Sequence, residues 1–298
     1  DYDVVLNKGN SDFFIIKTDL DGNVVWTKTF GGSGYDVAAD VIEDENNNYL
    51  IVGSSNSSDG DKSILFWGYD IWVIKIDNLG NLIWEETFGG SSADGASQII
   101  KSHSNNYVII GTTNSNDLDV TLNYGGSDIW VFEIDSLGNL IWQKNYGGSN
   151  DEDYNPSITR TNDLGYILTS GTSSNDDDIN DVPFGNNDLL LIKINQTGSL
   201  IWQKCYGGSG YERGTNIIQL SSGEFLVSGN TDSFDGDFVL NPTKGQSDSL
   251  IMKINSLGNI VWQKCFGGDT FDSTEGRSSL IEIEGYYYFS SYILSNNG

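Results

Sequence analysis

Apolar residues follow one another in short segments of this chain and do not recur at a helical spacing. Residues 71–76 combine Ile, Trp and Val, and β-branched and aromatic side chains of this kind favour strands. An Asn-Leu-Gly-Asn turn at 78–81 separates them from a second apolar segment at 82–88. Two more short apolar segments, with a polar turn between them, lie within residues 37–52. The pattern predicts four strands in this stretch and almost no helix.

This four-strand unit is repeated along the chain. A Gly-Gly pair that follows an aromatic residue marks each copy. The five copies are Phe30-Gly31-Gly32, Phe88-Gly89-Gly90, Tyr146-Gly147-Gly148, Tyr206-Gly207-Gly208 and Phe266-Gly267-Gly268. Repeats of this length with four antiparallel strands are typical of β-propeller blades. The sequence therefore predicts an all-β fold, a five-bladed β-propeller with four antiparallel strands in each blade.

The two ends of the chain are expected to share one blade of a single propeller domain over residues 1–298. The expected units are about 31–88, 89–146, 147–206, 207–266, and 267–298 joined with 1–30. The N-terminal Asp1-Tyr-Asp-Val-Val-Leu-Asn7 resembles Asp235-Gly-Asp-Phe-Val-Leu-Asn241, which precedes a late strand. We therefore expect N-terminal outer strands to pair with C-terminal inner strands and close the ring. The Trp-containing strands are expected to be outermost; their tryptophans are Trp26, Trp84, Trp142, Trp202 and Trp262.

The charge of the chain limits its partners. It has 42 acidic and 15 basic residues and a formal net charge of −27. Nucleic acid is excluded as a partner, because its binding relies on neutralising phosphates with Lys and Arg. No apolar segment reaches the roughly 18 residues of a membrane span, so we expect no membrane insertion. The two cysteines, Cys205 and Cys265, occupy the same position in neighbouring units and are expected to be free thiols.

The Gly-Gly-Ser segments predict tight turns between units. Their glycines allow positive φ angles, and an acid shortly afterwards can accept backbone N–H bonds. These acids are expected to be Asp36, Asp94, Asp151, Glu212 and Asp272. Gly31-Gly-Ser-Gly-Tyr-Asp36 resembles the start of a calcium β-roll nonapeptide, but that fold needs the motif in tandem. The wide spacing of the copies here argues against a β-roll.

Paired acids recur in the long loop between the second and third strands of each unit. Carboxylates two residues apart suit Ca²⁺, which takes six to eight oxygen ligands. The alternative is a solvated turn with local side-chain-to-backbone bonds. The candidate metal ligands are Asp1, Asp3, Asp59, Asp61, Asp117, Asp119, Asp176, Asp178, Asp235 and Asp237. Of the two interpretations the solvated turn is favoured, and calcium is the one cofactor that these loops would suit.

Aromatic residues in the same loops differ from one unit to the next. Exposed aromatics can stack on sugar rings or anchor a protein partner. The candidate ligand-binding residues are Phe66, Trp67, Tyr124 and Phe184. The alternative is that these side chains hold their own loops in place.

One whole unit carries a resemblance to a known family. The residues are Phe30-Gly-Gly-Ser33, Tyr49-Leu-Ile-Val-Gly-Ser-Ser55, Asp59-Gly-Asp61, Asp70-Ile-Trp-Val-Ile-Lys-Ile-Asp77 and Gly80-Asn-Leu-Ile-Trp84. They resemble the β-propeller repeats of secreted and cell-surface proteins of Bacteroidetes-type bacteria. The resemblance covers the whole chain and implies an extracellular or cell-surface location within a larger surface protein or complex. It brings no catalytic residues with it.

Five near-equivalent units favour a recognition role. We expect a non-catalytic extracellular scaffold or adhesin-like module that binds a protein or glycan partner. A carbohydrate-binding, lectin-like propeller is the alternative, followed by a five-bladed glycoside hydrolase or lyase. Such an enzyme needs paired acids that break the repeat, and the acids that do so are Glu152, Asp153 and Asp181. They suggest no central site, so the sequence predicts that the chain is not an enzyme.

Overall fold

The chain folds into antiparallel β-sheets. The structure, a computed structural model, describes residues 6–64, 67–152, 155–181, 184–273 and 279–294. The only helix among them is a 3₁₀ turn, Gly236–Phe238, and none of these residues belongs to a helix long and apolar enough to cross a bilayer. The predicted all-β class is confirmed.

The chain divides into two compact units. Unit 1 comprises Asp1–Asn123 and Val131–Gln143, and unit 2 comprises Tyr124–Trp130 and Lys144–Gly298. The first ten strands are β1 (Phe13–Thr18), β2 (Val24–Phe30), β3 (Asp36–Glu43), β4 (Tyr49–Ser55), β5 (Asp70–Ile76), β6 (Leu82–Phe88), β7 (Asp94–Lys101), β8 (Tyr107–Thr113), β9 (Asp128–Ile134) and β10 (Leu140–Tyr146). They form a two-stranded sheet, β1-β2, and two four-stranded sheets, β3-β4-β5-β6 and β7-β8-β9-β10.

The later strands continue the pattern. They are β11 (Ser157–Arg160), β12 (Tyr166–Thr172), β13 (Asp188–Ile194), β14 (Leu200–Tyr206), β15 (Glu212–Gln219), β16 (Phe225–Thr231), β17 (Asp248–Ile254), β18 (Ile260–Phe266), β19 (Asp272–Ser273), β20 (Leu280–Ile283), β21 (Tyr286–Phe289) and β22 (Tyr292–Ile293). The sheets are β11-β12-β13-β14, β15-β16-β17-β18, β19-β22 and β20-β21. Four of the predicted repeats therefore each correspond to one four-stranded sheet, with its strands in sequence order.

The fifth predicted repeat is present as two halves. The C-terminal half contains the antiparallel pairs β19–β22 and β20–β21, which match the first two strands of a complete sheet. The N-terminal half is the β1–β2 hairpin, which matches the last two strands. The pairing of these halves into one blade stays a prediction.

Burial follows strand order within each sheet. All seven residues of β5, β9 and β13 are buried, which explains why their apolar residues are consecutive rather than alternating. The fourth strands β6, β10 and β14 begin with two exposed residues and become buried only towards their ends. In unit 1, Phe13, Trp72 and Ile74 belong to one hydrophobic cluster. In unit 2, a second cluster includes Leu191 and Val227.

The hairpin between the third and fourth strands is fixed by its first side chain. Asp77 Oδ1 accepts N–H bonds from Leu79 and Asn81, both at 2.8 Å. Gly80 adopts a φ of 79°, a left-handed conformation that glycine takes without a steric cost. The turn predicted from Asn-Leu-Gly-Asn is therefore confirmed, with Asp77 as its organising residue.

Candidate functional site

The Gly-Gly turns are held by the acid that begins the next sheet. Gly32 N–H donates to Asp36 Oδ2 at 2.9 Å, and the same bond recurs in the other sequence repeats. The equivalent donor and acceptor pairs are Gly90 with Asp94, Gly148 with Glu152, Gly208 with Glu212 and Gly268 with Asp272. The predicted role of these acids in the turns is confirmed in four of the five sequence repeats.

In the third repeat, the acid that holds the turn is not the one that the sequence suggested. The acid that bonds the turn is Glu152, because it stands five residues after Gly147, as Asp36 stands after Gly31. Asp151, which the sequence suggested, accepts an N–H bond from Ser127 at 2.8 Å instead.

The paired acids of the long loops contact the same turns. Ser33 N–H donates to Asp59 Oδ1 at 2.7 Å, and Gly31 N–H donates to Asp61 Oδ2 at 3.0 Å. The loop acids that accept equivalent bonds are Asp117 and Asp119, Asp176, and Asp235 and Asp237. Asp1 and Asp3 lie outside the described residues. These carboxylates thus join the long loop to the Gly-Gly-Ser turn of the same sequence repeat.

Asp178 differs from the other loop acids. Its carboxylate hydrogen-bonds the Tyr124 hydroxyl, and burial raises its pKa. Within the described ranges, no group of three or more His, Cys, Asp or Glu side chains is arranged to hold a metal ion. Calcium binding by the loops stays a prediction.

The described candidate aromatic residues differ in exposure. Phe66 lies outside the described residues, and Trp67, in unit 1, is 81 % exposed. Tyr124 is half-buried, because its hydroxyl bonds Asp178. Phe184, which occupies the same position in the next repeat, is 62 % exposed. Of the two aromatic residues in unit 2, Phe184 is therefore the one that presents its ring to solvent.

Phe184 lies in an open cleft of unit 2. The cleft has a volume of about 470 Å³, and its lining combines an aromatic ring, two carboxylates, an ammonium group and an amide. These groups belong to Phe184, Asp181, Asp237, Lys204 and Asn259. Lys204 Nζ donates to Asn259 Oδ1 at 2.8 Å, so the amide nitrogen of Asn259 is directed away from that bond.

Backbone bonds hold the two carboxylates of the cleft. Asp181 Oδ2 accepts the Cys205 N–H at 3.2 Å, and Asp237 Oδ2 accepts the Gly207 N–H at 3.1 Å. Both donors lie at the end of β14 or directly after it. Burial, and then the charge of Asp181, raises the pKa of Asp237. The two acids therefore occupy fixed positions and influence each other electrostatically.

Two further groups that line the cleft, Tyr206 and Cys205, carry no charge. The Tyr206 hydroxyl donates to the Gly258 carbonyl, and burial raises the pKa of Tyr206 well above its usual range. Burial, with the charges of Asp188 and Asp181, has the same effect on the pKa of Cys205. Both groups are therefore neutral and do not add charge to the cleft.

Asp181 makes this cleft different from its counterparts. Asp181 stands seven residues before Asp188. The corresponding positions of three other repeats hold Ser63, Thr121 and Asn241. Sequence reasoning noted Asp181 only as an acid that breaks the repeat. It missed Lys204 and Asn259, which come from β14 and from the hairpin turn before β18. The one available signal was that Asp181 and Phe184 are close together in a loop that departs from the repeat.

Comparison with known proteins places the chain by fold only. No family model and no curated protein sequence matches it. A protein of unknown function from Dyadobacter fermentans is similar in structure, with 11 % identity, coverage of 96 % of this chain and 81 % of that chain, and a TM-score of 0.50. A thermostable family-43 glycoside hydrolase aligns with 11 % identity, coverage of 90 % and 97 %, and a TM-score of 0.46. An α-L-arabinofuranosidase from Clostridium thermocellum aligns with 14 % identity, coverage of 86 % and 81 %, and a TM-score of 0.40.

These comparisons correct one prediction and support part of another. The prediction that the chain is not an enzyme is contradicted, because glycoside hydrolases are among the chains with which it aligns. The resemblance to Bacteroidetes surface proteins is supported only as an all-β fold with neighbours of Bacteroidetes origin and unknown function. At these identities the likeness shows the fold alone.

Proposed function

We propose that this chain binds carbohydrate, and that the cleft around Phe184 is the binding site. The observation that carries the proposal is the meeting of an exposed aromatic ring with carboxylate, amide and ammonium groups in one cleft. Aromatic faces pack against the apolar face of a sugar ring. Carboxylates and amides hydrogen-bond its hydroxyl groups.

The backbone bonds that hold the two carboxylates of the cleft support this role. Asp181 and Asp237 are held by backbone donors, so their orientation does not have to be fixed when a ligand binds. Preorganised groups of this kind lose little conformational entropy on binding. The cleft is open to solvent and polar, which suits a ligand that is itself polar on most sides.

The proposal includes the setting suggested by the sequence. It places the chain outside the cell, on a surface or secreted protein, as a five-bladed propeller. Four complete four-stranded sheets and three two-stranded sheets support the blade count. The resemblance of the repeats to those of surface proteins supports the location.

The first test is a glycan array, followed by isothermal titration calorimetry with the oligosaccharides that bind. Phe184→Ala should weaken binding at least ~10-fold, since truncating an aromatic anchor of a binding site costs about 2 kcal/mol or more. Asp181→Asn keeps the acceptor for Cys205 N–H and should weaken binding through the lost charge. The release of reducing ends from the same oligosaccharides shows whether binding leads to hydrolysis.

A matched control is available in the same unit. Phe234 is 60 % exposed, close to the value for Phe184, and lies outside the cleft. Phe234→Ala should leave the affinity unchanged. Failure of every glycan to bind, or equal loss of affinity in both variants, would overturn the proposal.

A further inference from the structure

Two carboxyl groups lie side by side where one repeat meets the next. Asp188 begins β13 and Glu212 begins β15, and both side chains are fully buried. The two strand starts are joined by a backbone bond from Glu212 N–H to the Asn187 carbonyl at 2.7 Å. The negative charge of Asp188 is one of the influences that raise the pKa of Glu212, after burial.

The two carboxyls differ in their hydrogen bonds. Glu212 accepts bonds from Gly208 N–H at 2.9 Å and from the Thr231 hydroxyl at 2.6 Å, and a further bond from Ser233. Asp188 Oδ2 accepts the Phe184 N–H at 2.8 Å. Asp188 Oδ1 is buried without a hydrogen-bond partner. Glu212 is thus surrounded by donors, whereas one oxygen of Asp188 has none.

The same arrangement recurs at other repeat boundaries. In unit 2, Asp248 Oδ2 accepts the Lys244 N–H at 2.8 Å, and its Oδ1 is buried without a partner. The neighbouring acid is Asp272, which bonds Gly268 N–H. Asp128 Oδ1 is likewise buried without a hydrogen-bond partner and lies with the Glu152 carboxyl beside Gly147. Two carboxylates cannot hydrogen-bond each other unless one of them carries a proton.

In three turns the glycine makes room for both acids, whereas the three atoms nearest to a Cβ on Gly207 all belong to Asp188. A Cβ on Gly267 would lie closer than 3.0 Å to both Asp248 Oδ1 and Asp272 Oδ2. The same holds for Gly147 with Asp128 and Glu152, and for Gly31 with Asp12 and Asp36. The acids therefore converge on one point, and the space there is too small for any side chain.

Two buried carboxylates at one point cannot both be ionised without compensation. Burial disfavours the charged form of each, and the second charge adds repulsion. The groups that act electrostatically on the Asp188–Glu212 pair are Asp181 and Asp237 from the loops, both acidic. The Cys205 thiol of β14 faces the same region and is neutral. The surroundings thus add negative charge.

The boundary of Asp70 with Asp94, in unit 1, has a different solution. Lys62 is fully buried and forms an ion pair with Asp70, with Nζ 3.3 Å from Oδ2. In the corresponding loops of three other repeats the residue at the position of Lys62 is apolar: Val120, Ile179 or Phe238. A buried lysine thus compensates the pair of Asp70 and Asp94. The boundary between Asp188 and Glu212 has Ile179 there and needs another positive charge.

We propose that the boundary is a proton-binding site, in which one proton is shared between Asp188 Oδ1 and the Glu212 carboxyl. The same proton site is formed by Asp248 with Asp272 and by Asp128 with Glu152. A proton fits better than a metal ion, because Ca²⁺ takes at least six oxygen ligands and no group of three or more His, Cys, Asp or Glu side chains is arranged for a metal in the described part of the chain. Each site joins the third strand of one repeat to the first strand of the next.

The titration of the acids agrees with this geometry. Burial raises the pKa of Glu152 to about 8 and that of Asp128 to about 7; we treat them as one pair that holds one proton near neutral pH. Burial also raises the pKa of Asp188, Glu212 and Asp248. A raised pKa means that the folded chain binds a proton that the unfolded chain releases. The stabilisation is therefore complete below the ordinary carboxyl pKa and is lost as the pH rises through the raised value.

Asp188→Asn provides the test, because asparagine mimics the protonated acid. Its carbonyl can accept the Phe184 N–H, and its NH₂ group can donate to Glu212 from the position of Oδ1. Urea unfolding is measured for both chains in EDTA at about pH 5 and about pH 8.5. The folding constant of the wild type should fall at least ~10-fold more than that of the variant, which corresponds to one unit of pKa difference.

Controls separate this result from general charge effects. Asp235→Asn removes the same charge from a loop acid that bonds Ser209 N–H, and it should retain the pH dependence of the wild type. An equal pH dependence in wild type and Asp188→Asn would overturn the proposal. So would stability at about pH 8.5 that Ca²⁺ restores in the wild type but not in the variant, because the site would then hold a metal ion.

A measurement on the wild type keeps the proposal testable even if the variant does not fold. The infrared C=O band of a carboxylic acid should be present in the folded chain at neutral pH and should disappear on unfolding. The absence of this band in the folded chain would also overturn the proposal.

Discussion

The buried carboxyl groups of Asp128 and Glu152 converge on Gly147, where each lies closer than 3.0 Å to the position of a missing Cβ. Gly147→Ala should therefore destabilise the fold, because a methyl group would have to displace two acids that are bonded in place. Overpacking of this kind costs about 1–3 kcal/mol. Urea unfolding measures the cost.

Gly95→Ala is the matched control for that variant. A Cβ on Gly95, in β7, would meet only Ser54 Oγ, at 3.3 Å. It should change the free energy of unfolding much less than Gly147→Ala does. Equal effects of the two substitutions would contradict the tight packing at Gly147.

The stability of the whole chain should depend on pH in an unusual direction. Burial raises the pKa of Glu152 to about 8 and that of Asp94 to about 6, so their contributions are lost as the pH rises through 6 to 8. Asp44 has the opposite sign. Burial opposes its ionisation, but bonds from Lys75 and Asn48 lower its pKa to about 2, and its contribution is lost in strong acid.

These opposing terms predict maximal stability at mildly acidic pH. Thermal melts from about pH 3 to pH 9 at constant ionic strength provide the measurement. A melting temperature that increases steadily up to pH 8 would contradict the raised pKa values of the buried acids.

Lys62 should be essential for the first complete sheet. Its ammonium group bonds Asp70 and the Ser55 carbonyl, at 3.3 and 3.1 Å. Lys62→Met keeps the length of the side chain but leaves Asp70 buried without its counter-ion, which costs about 3–5 kcal/mol. Chemical denaturation measures the loss. Lys101→Met, at the half-buried end of β7, should have little effect, and similar losses in both variants would argue against the ion pair.

The two cysteines should be unreactive in the folded protein. Both are free. Burial raises the pKa of both thiols, that of Cys265 to about 12, so little of the nucleophilic thiolate is present at neutral pH. Ellman's reagent should label both thiols only after denaturation. Rapid labelling of Cys205 in the native chain would show that the end of β14 opens readily.

The sequence was sufficient for the strands because their signals are local. Ile71-Trp-Val-Ile and the Asp77 turn predict a buried strand and a tight hairpin from adjacent residues alone, and both are present. The recurring Gly-Gly pairs likewise predict how often the pattern repeats. The expectation that acids accept N–H bonds in these turns also needed only short-range spacing.

The roles of particular side chains depended on contacts between distant residues. The assignment of Asp151 instead of Glu152 was wrong because only the strand register shows which acid faces inward. The loop acids were expected to face solvent or calcium, yet each of those bonded to a turn reaches a Gly-Gly-Ser segment more than twenty residues away. Lys204 and Asn259 come from neighbouring repeats, and their proximity to Phe184 depends on how β14 and β18 pack.

The sequence by itself determined an all-β chain of repeated four-stranded sheets, because strand and turn propensities act over a few residues. Only the tertiary structure decided which acids are buried in pairs, which one has lysine as its counter-ion, and which loop presents an exposed ring. The physical reason is that desolvation and charge repulsion depend on what packs around a side chain. In this chain the paired acids come from adjoining repeats, whereas Lys62 comes from the same repeat as Asp70.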